Sequence, residues 1–203
     1  MSAQALREAY REEIPPVLSG KELFEFGDIG CAELIQGRLR AMSPTGYPHG
    51  IIEITIASLL RAFVRPRKLG KVLGGEVGIF IRRQPDTIRG ADVAYISNGR
   101  LAQNQASQGY LDVAPELIVE VLSPGDRWTD VMQKLAEYLQ IGARSVWIAD
   151  PGRQEIFVYH ALTDVQRFTA ADAISDEAAL PGFSASVAEI FDINLDEEAQ
   201  THP

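Results

Sequence analysis

Two stretches of the chain repeat apolar residues at helical spacing, and most of the remainder alternates or runs apolar in short pieces. From Pro48 onward, Ile52, Ile56, Leu59, Leu60 and Phe63 predict a helix that reaches about Val64 and stops before Pro66. Trp128, Val131, Met132, Leu135 and Leu139 form the stripe of a second helix, with Asp126 as its N-cap and Gly142 just past its end. Val77, Ile79 and Ile81 alternate in "KVLGGEVGIFIRR", which predicts a strand, and "GADVAYIS" predicts another. "RSVWIAD" and "QEIFVYH" are two further strands flanking the turn Asp150-Pro151-Gly152-Arg153. "CAELIQGRLRAM" reads as a hairpin folded at Gln36-Gly37-Arg38. Short helices are expected in the first 20 residues, stopped at Pro15-Pro16, within "KELFEFGD" and after "LPGF". Residues 100–114 read as a polar loop.

In "PELIVEVLSPGDR", Ile118, Glu120 and Leu122 share one face, while Leu117, Val119 and Val121 line the other. Both faces are apolar except at Glu120, so the strand is interior and its carboxylate needs a counter-charge or a metal ion. The order of helices and strands then favours an α/β fold, a mixed sheet between helical layers.

Composition adds bounds. With 203 residues, 46% of them hydrophobic, and no repeat or linker, one domain over 1–203 is expected, its core at about 20–192. The apolar runs are too short to span a membrane, and "MSAQALREAYREEIPP" is charged rather than signal-like, which places the chain in the cytoplasm. The single Cys31 excludes an internal disulfide and a thiolate zinc site, and is expected to be buried.

The net charge of −9 at first argues against a nucleic-acid partner. Yet eight of the 28 acids fall in the segment 172–203, which has no Lys or Arg, so the 19 basic residues face only 20 acids in residues 1–171. Arg61, Arg65, Arg67, Lys68 and Lys71 lie close together, with Arg82, Arg83 and Arg89 soon after. They form either a positive surface or a solvated helix end.

Four more residues sit where packing alone does not ask for them. Asp92 lies inside "ADVAYI", Glu33 beside Leu34 and Ile35, and His49 at the start of the first long helix. Lys134 sits about 100° from the centre of its helix's apolar stripe, beside Tyr138. Each has a structural reading too: a strand end for Asp92, a surface pair with Asp130 for Lys134, a packed histidine for His49. Together, Asp92, Glu120 and Lys134 supply carboxylates for Mg²⁺ and a positive charge for a phosphate. There is no phosphate loop, dinucleotide fingerprint, HExxH or nucleophile elbow.

"ADVAYI", then "PELIVEVLSPGDRWTDVMQKLAEYLQIGARSVWIADP", with "AELIQGRL" and a histidine upstream and "LPGF" downstream, resembles the bacterial putative restriction endonucleases of the PD-(D/E)XK nuclease superfamily. The resemblance spans roughly residues 20–192 and is most specific from Pro115 to Pro151. It implies a restriction-endonuclease-like mixed central sheet flanked by helices, here with an additional N-terminal hairpin. It also implies a Mg²⁺ (or Mn²⁺) site in which Asp92, Glu120 and the backbone carbonyl of Val121 are ligands, Glu33 completes the shell, and His49 is a further site residue. Two positions depart from the superfamily pattern: Ala91 replaces a proline, and Leu122 replaces the expected lysine. Lys134, at the "DxxxK" spacing from Asp130, takes the lysine's part from the next helix. The implied activity is DNA endonuclease, with a homodimer as one assembly open to it. The alternative is a catalytically silent protein of the same fold that serves as a DNA-binding or regulatory module.

Overall fold

The computed structural model describes residues 17–27, 30–104 and 109–193. The helix expected before Pro15 lies outside them. Among the described residues eight strands form one mixed sheet: β1 (Ala32–Ile35), β2 (Arg38–Ala41), β3 (Gly70–Arg82), β4 (Thr87–Ser97), β5 (Leu117–Val121), β6 (Ser145–Asp150), β7 (Glu155–Ala161) and β8 (Asp164–Thr169). A small antiparallel pair, β9 (Ala173–Ser175) and β10 (Ser184–Ser186), stands apart from it. The helices are α1 (Gly20–Glu25), α2 (Tyr47–Val64), α3 (Asn98–Leu101), α4 (Trp128–Gln140) and α5 (Val187–Phe191).

The sheet runs β2-β1-β4-β5-β6-β7-β8, and β3 lies along the other edge of β4, since Ile88 pairs with both Leu34 and Phe80. Only β5 and β6 are parallel, and α4 makes the crossover between them. One face packs Val93, Val119 and Trp147 against Ile52, Ile56 and Leu60 of α2. The other packs Ile118, Val146 and Ile148 against Leu135 and Tyr138 of α4. β4 is buried from Thr87 through Ile96, more deeply than its sequence suggests, because layers cover both its faces. The N-terminal hairpin turns at Gln36 (φ 51°) and Gly37 (φ 76°), two left-handed residues that suit the twist of a tight hairpin. No described helix is long and apolar enough to cross a membrane.

Several expectations need correction. Cys31 is exposed rather than buried. Asp126 does not cap α4; its Oδ2 accepts the Ser123 N–H at 2.7 Å, closing the turn before it, and Arg127 occupies the N-cap. Trp128 leaves the apolar stripe and is 53% exposed, because the first turn of α4 overhangs the core. The stretch after β4 is not all loop: α3 forms at once, and Leu111 bridges Ile79. β8 carries no apolar alternation because most of it is exposed, which hid it.

Candidate active site

On one edge of β4, β1 pairs at Ile88 and β5 pairs only from Val93 to Tyr95. Between them the backbone of a buried strand has no neighbour on that edge, and buried amides and carbonyls need partners. Side chains supply them. Gly90 N–H donates to Glu33 Oε1 at 3.2 Å, and its carbonyl accepts from Lys134 Nζ at 2.8 Å and the Tyr138 hydroxyl at 3.2 Å. At the end of β5, Val121 N–H donates to Asp92 Oδ2 at 2.6 Å. Gly90 leaves room for the Glu76 side chain of β3, since a Cβ there would lie 2.6 Å from Glu76 Oε2.

On the α4 side the charges are paired. Lys134 and Tyr138 are one helical turn apart and both reach Glu120: Nζ lies 2.7 Å from Oε2, and the hydroxyl donates to Oε1 at 2.8 Å. Nζ also lies 3.3 Å from Glu33 Oε1. Behind them Arg89 donates to Glu33 at 2.8 Å and to Glu137 at 2.6 Å. Burial pushes the Glu120 carboxyl up to about 8 against the pull of Lys134. Burial alone would lower the Lys134 pKa, but Glu120 and Glu33 more than offset it and hold the group as an ammonium.

On the α2 side one imidazole faces three carboxylates, those of Glu53, Glu76 and Asp92. His49 Nε2 lies 3.4 Å from Asp92 Oδ2, and Glu53, one turn along α2, accepts Gly75 N–H at 3.0 Å. β3 bulges at Gly75 and Glu76, with φ of 78° and 59°, and Glu76 lines the same cleft. His49 Nδ1 and Glu76 Oε2 are buried with no hydrogen-bond partner among the described residues. Burial, then the nearby Asp92, pushes Glu76 up to about 7 and raises Glu53. For His49 burial opposes protonation, but Asp92 outweighs it and the imidazole titrates above its ordinary value.

Glu33, His49, Asp92, Glu120, Val121 and Lys134, all picked out from the sequence, line one cleft of about 640 Å³. Asp130 pairs with Arg40 at 2.9 Å, not with Lys134, which removes the surface-pair reading of that lysine. Arg89 is not part of a positive surface; it is buried behind Glu33. Sequence reasoning missed Glu53, Glu76 and Tyr138. Glu53 and Tyr138 follow His49 and Lys134 by four residues, a spacing that carried the signal. Glu76 had a fainter one, an acid after two glycines in an alternating strand. The donor set of carboxylates and one imidazole, with orphaned buried atoms and excess negative charge, fits a divalent cation.

Comparison with known proteins bears on this arrangement. The chain matches the family described as Uma2, putative restriction endonuclease, over residues 22–188. A crystal structure of a putative nuclease belonging to DUF820 from Anabaena variabilis superposes with a TM-score of 0.70 at 20% identity, covering 86% of this chain and 97% of that one. That likeness establishes the restriction-endonuclease-like mixed α/β fold. No curated protein matches the chain.

Proposed function

Because the chain belongs to the Uma2 family of putative restriction endonucleases, we propose that it hydrolyses phosphodiester bonds in DNA with the help of bound Mg²⁺ or Mn²⁺. The observation that carries this reading is Lys134, whose ammonium comes from α4 into the gap beside Glu120 and Glu33. Leu122 leaves β5 without a lysine, and α4 supplies the charge from another direction. Three acceptors, Glu120, Glu33 and the Gly90 carbonyl, surround Nζ. A group so held stays protonated, so it offsets charge on a phosphate and orients a water rather than accepting a proton.

Asp92 and Glu120 would hold the ion, with the Val121 carbonyl and Glu33 beside them. When bound, the ion lowers the pKa of its water and neutralises charge developing on the phosphodiester. Tyr138 orients Glu120, and Arg89 holds Glu33 in place. The acidic cleft does not attract a polyanion by itself. Exposed Arg61 and Arg65 near the far end of α2, with Lys71, border a second cleft of about 280 Å³, which gives the DNA backbone a positive surface.

Assaying duplex, single-stranded and branched DNA tests this. Lys134→Ala is expected to slow metal-dependent cleavage by about 10²-fold or more, while salt-sensitive binding persists. Replacing Arg61, Arg65 and Lys71 by Ala should weaken binding and flatten its salt dependence by about one log–log unit per lost phosphate contact. Wild-type protein that binds but never cuts would leave the silent DNA-binding or regulatory module. Protein that does neither has a different partner.

A further inference from the structure

We infer, on the reading that this cleft handles DNA, that it takes the DNA as an unpaired strand whose bases stack on Tyr47 and Trp128 at its two rims. The two walls of the cleft are built alike. Ser43-Pro44-Thr45-Gly46 leads from β2 to α2, whose first residue is Tyr47, and Ser123-Pro124-Gly125 leads from β5 towards α4, whose first residue is Trp128. Thr45 and His49, on either side of Tyr47, line the cleft, as do Arg127 and Val131 on either side of Trp128. Each wall therefore carries an aromatic residue where its helix begins.

Exposure singles these two rings out. Tyr47 is 72% exposed and Trp128 more than half, and neither contacts another ring among the described residues. Phe24, also exposed, differs in packing edge-on against Tyr110 at 5.8 Å. Scattered exposed residues such as Leu162 and Val165 need no explanation, but a bare ring on each wall of one cleft is a stacking surface, because every base has a flat face to offer. In a duplex those faces are covered by neighbouring bases; in a single strand they are open to the rings. The floor points the same way. The side chains of Asp92 and Glu120 are 6% and 13% exposed, so a phosphodiester must descend between the rims to reach them. A duplex, stiff over about 50 nm, would have to open or bend sharply to do so, whereas a single strand follows the cleft. Arg127, exposed and without an ion pair among the described residues, lines the cleft beside Trp128 and can meet the phosphate next to a stacked base.

Oligothymidylate titrated into the full chain tests this, in chelator so that nothing is cut and again with Mg²⁺. Of the two tryptophans Trp147 is fully buried, so a fall in emission reports on Trp128. Saturable quenching by the single strand is expected, with an affinity about 10-fold or more above that for a duplex of equal length at the same salt. Followed by the anisotropy of a labelled strand, Trp128→Ala and Tyr47→Ala should each weaken single-strand binding by roughly 10- to 100-fold and leave duplex binding unchanged, whereas Trp128→Phe keeps most of it. Both side chains are exposed, so neither change empties the core, and circular dichroism confirms folding. No quenching in either buffer, equal quenching by duplex, or an affinity indifferent to Trp128→Ala overturns the proposal. So does emission that shifts with protein concentration alone, which would give the rings to a second copy of the chain. Single-strand quenching without cleavage upholds the proposal and counts only against the hydrolytic reading; metal-dependent cleavage of duplex with Trp128 silent counts only against the unpaired strand.

Discussion

Asp176 and Glu120 are carboxylates enclosed by the same sheet, one beneath Trp147 on the α2 face and the other beneath Lys134 on the α4 face. Asp176 is fully buried, and burial opposes its ionisation. Donors to its oxygens, Trp147 Nε1 at 2.8 Å, Ala179 N–H at 3.1 Å and His160 Nε2 at 3.2 Å among them, nevertheless hold it below the usual carboxylate range. Glu120 also receives two donors, but burial outweighs them, Asp92 adds its repulsion, and its carboxyl stays high. The difference lies in how far the neighbours offset burial: dipoles that converge on Asp176 outweigh it, whereas at Glu120 burial prevails and the acid beside it adds to it. Asp176 is therefore a structural tie between β6 and the loop after β9. The cleft is a site whose charge is left for something else to neutralise.

The largest expected effect falls on the structural acid. Asp176→Ala leaves the Trp147 and Ala179 N–H groups buried and unpaired, and should cost about 3 kcal/mol in urea unfolding. Glu120→Gln in metal-free protein should not approach that loss. A comparable loss there would mean that Glu120, like Asp176, is held for stability.

Glu76→Gln should act in the opposite direction. Burial and Asp92 push this carboxyl up from 4.5 to about 7, so the folded state keeps a proton that the unfolded chain has released. Stability of the metal-free protein then falls as pH rises from about 5 to 7, by at most ~1.4 kcal/mol per pH unit for one group. Partial exposure reduces this, so about 1 kcal/mol overall is expected. Glu120, raised to about 8, extends the window upward. Asp176 has the reverse sign: its contribution is present above its ordinary 3.8 and is lost as pH falls through the lower folded value. Unfolding in chelator at a series of pH values should show Glu76→Gln more stable than wild type at pH 8, by ~1 kcal/mol, with a shallower slope. A variant that is less stable at pH 8 would place Glu76 with the structural acids.

These two kinds of acid were unequally legible in the sequence. Glu120 stood out because a charge in a strand apolar on both faces has no cheap explanation, and Asp92 followed from the same logic in "ADVAYI". Lys134 was visible as a cation on the border of an apolar stripe. The long helices, the hairpin and most strands were legible for the same reason, periodicity. Asp176 was not, because it sits in a stretch rich in acids and free of Lys and Arg, which reads as a solvated tail although its carboxylate is fully enclosed. Glu76 needs a bulge and Arg89 needs Glu33 and Glu137 around it, and neither can be read from local pattern. Pairings between residues distant in sequence decide which charges are compensated. The spacing of one segment cannot report them.

The smallest effect tests whether Asp176 depends on many donors or on one. His160 contributes a single contact at 3.2 Å, and its side chain is 23% exposed, so water can replace part of what it gives. Its other ring nitrogen faces Asp164 at 3.7 Å on the surface, an interaction worth little in solvent. His160→Gln should therefore cost only ~0.5 kcal/mol in urea unfolding, since Trp147 and Ala179 still hold the carboxylate. A loss near that of Asp176→Ala would show that the imidazole carries the site. The acid beneath Trp147 would then depend on one group rather than on converging donors, and the contrast between the two regions would fail.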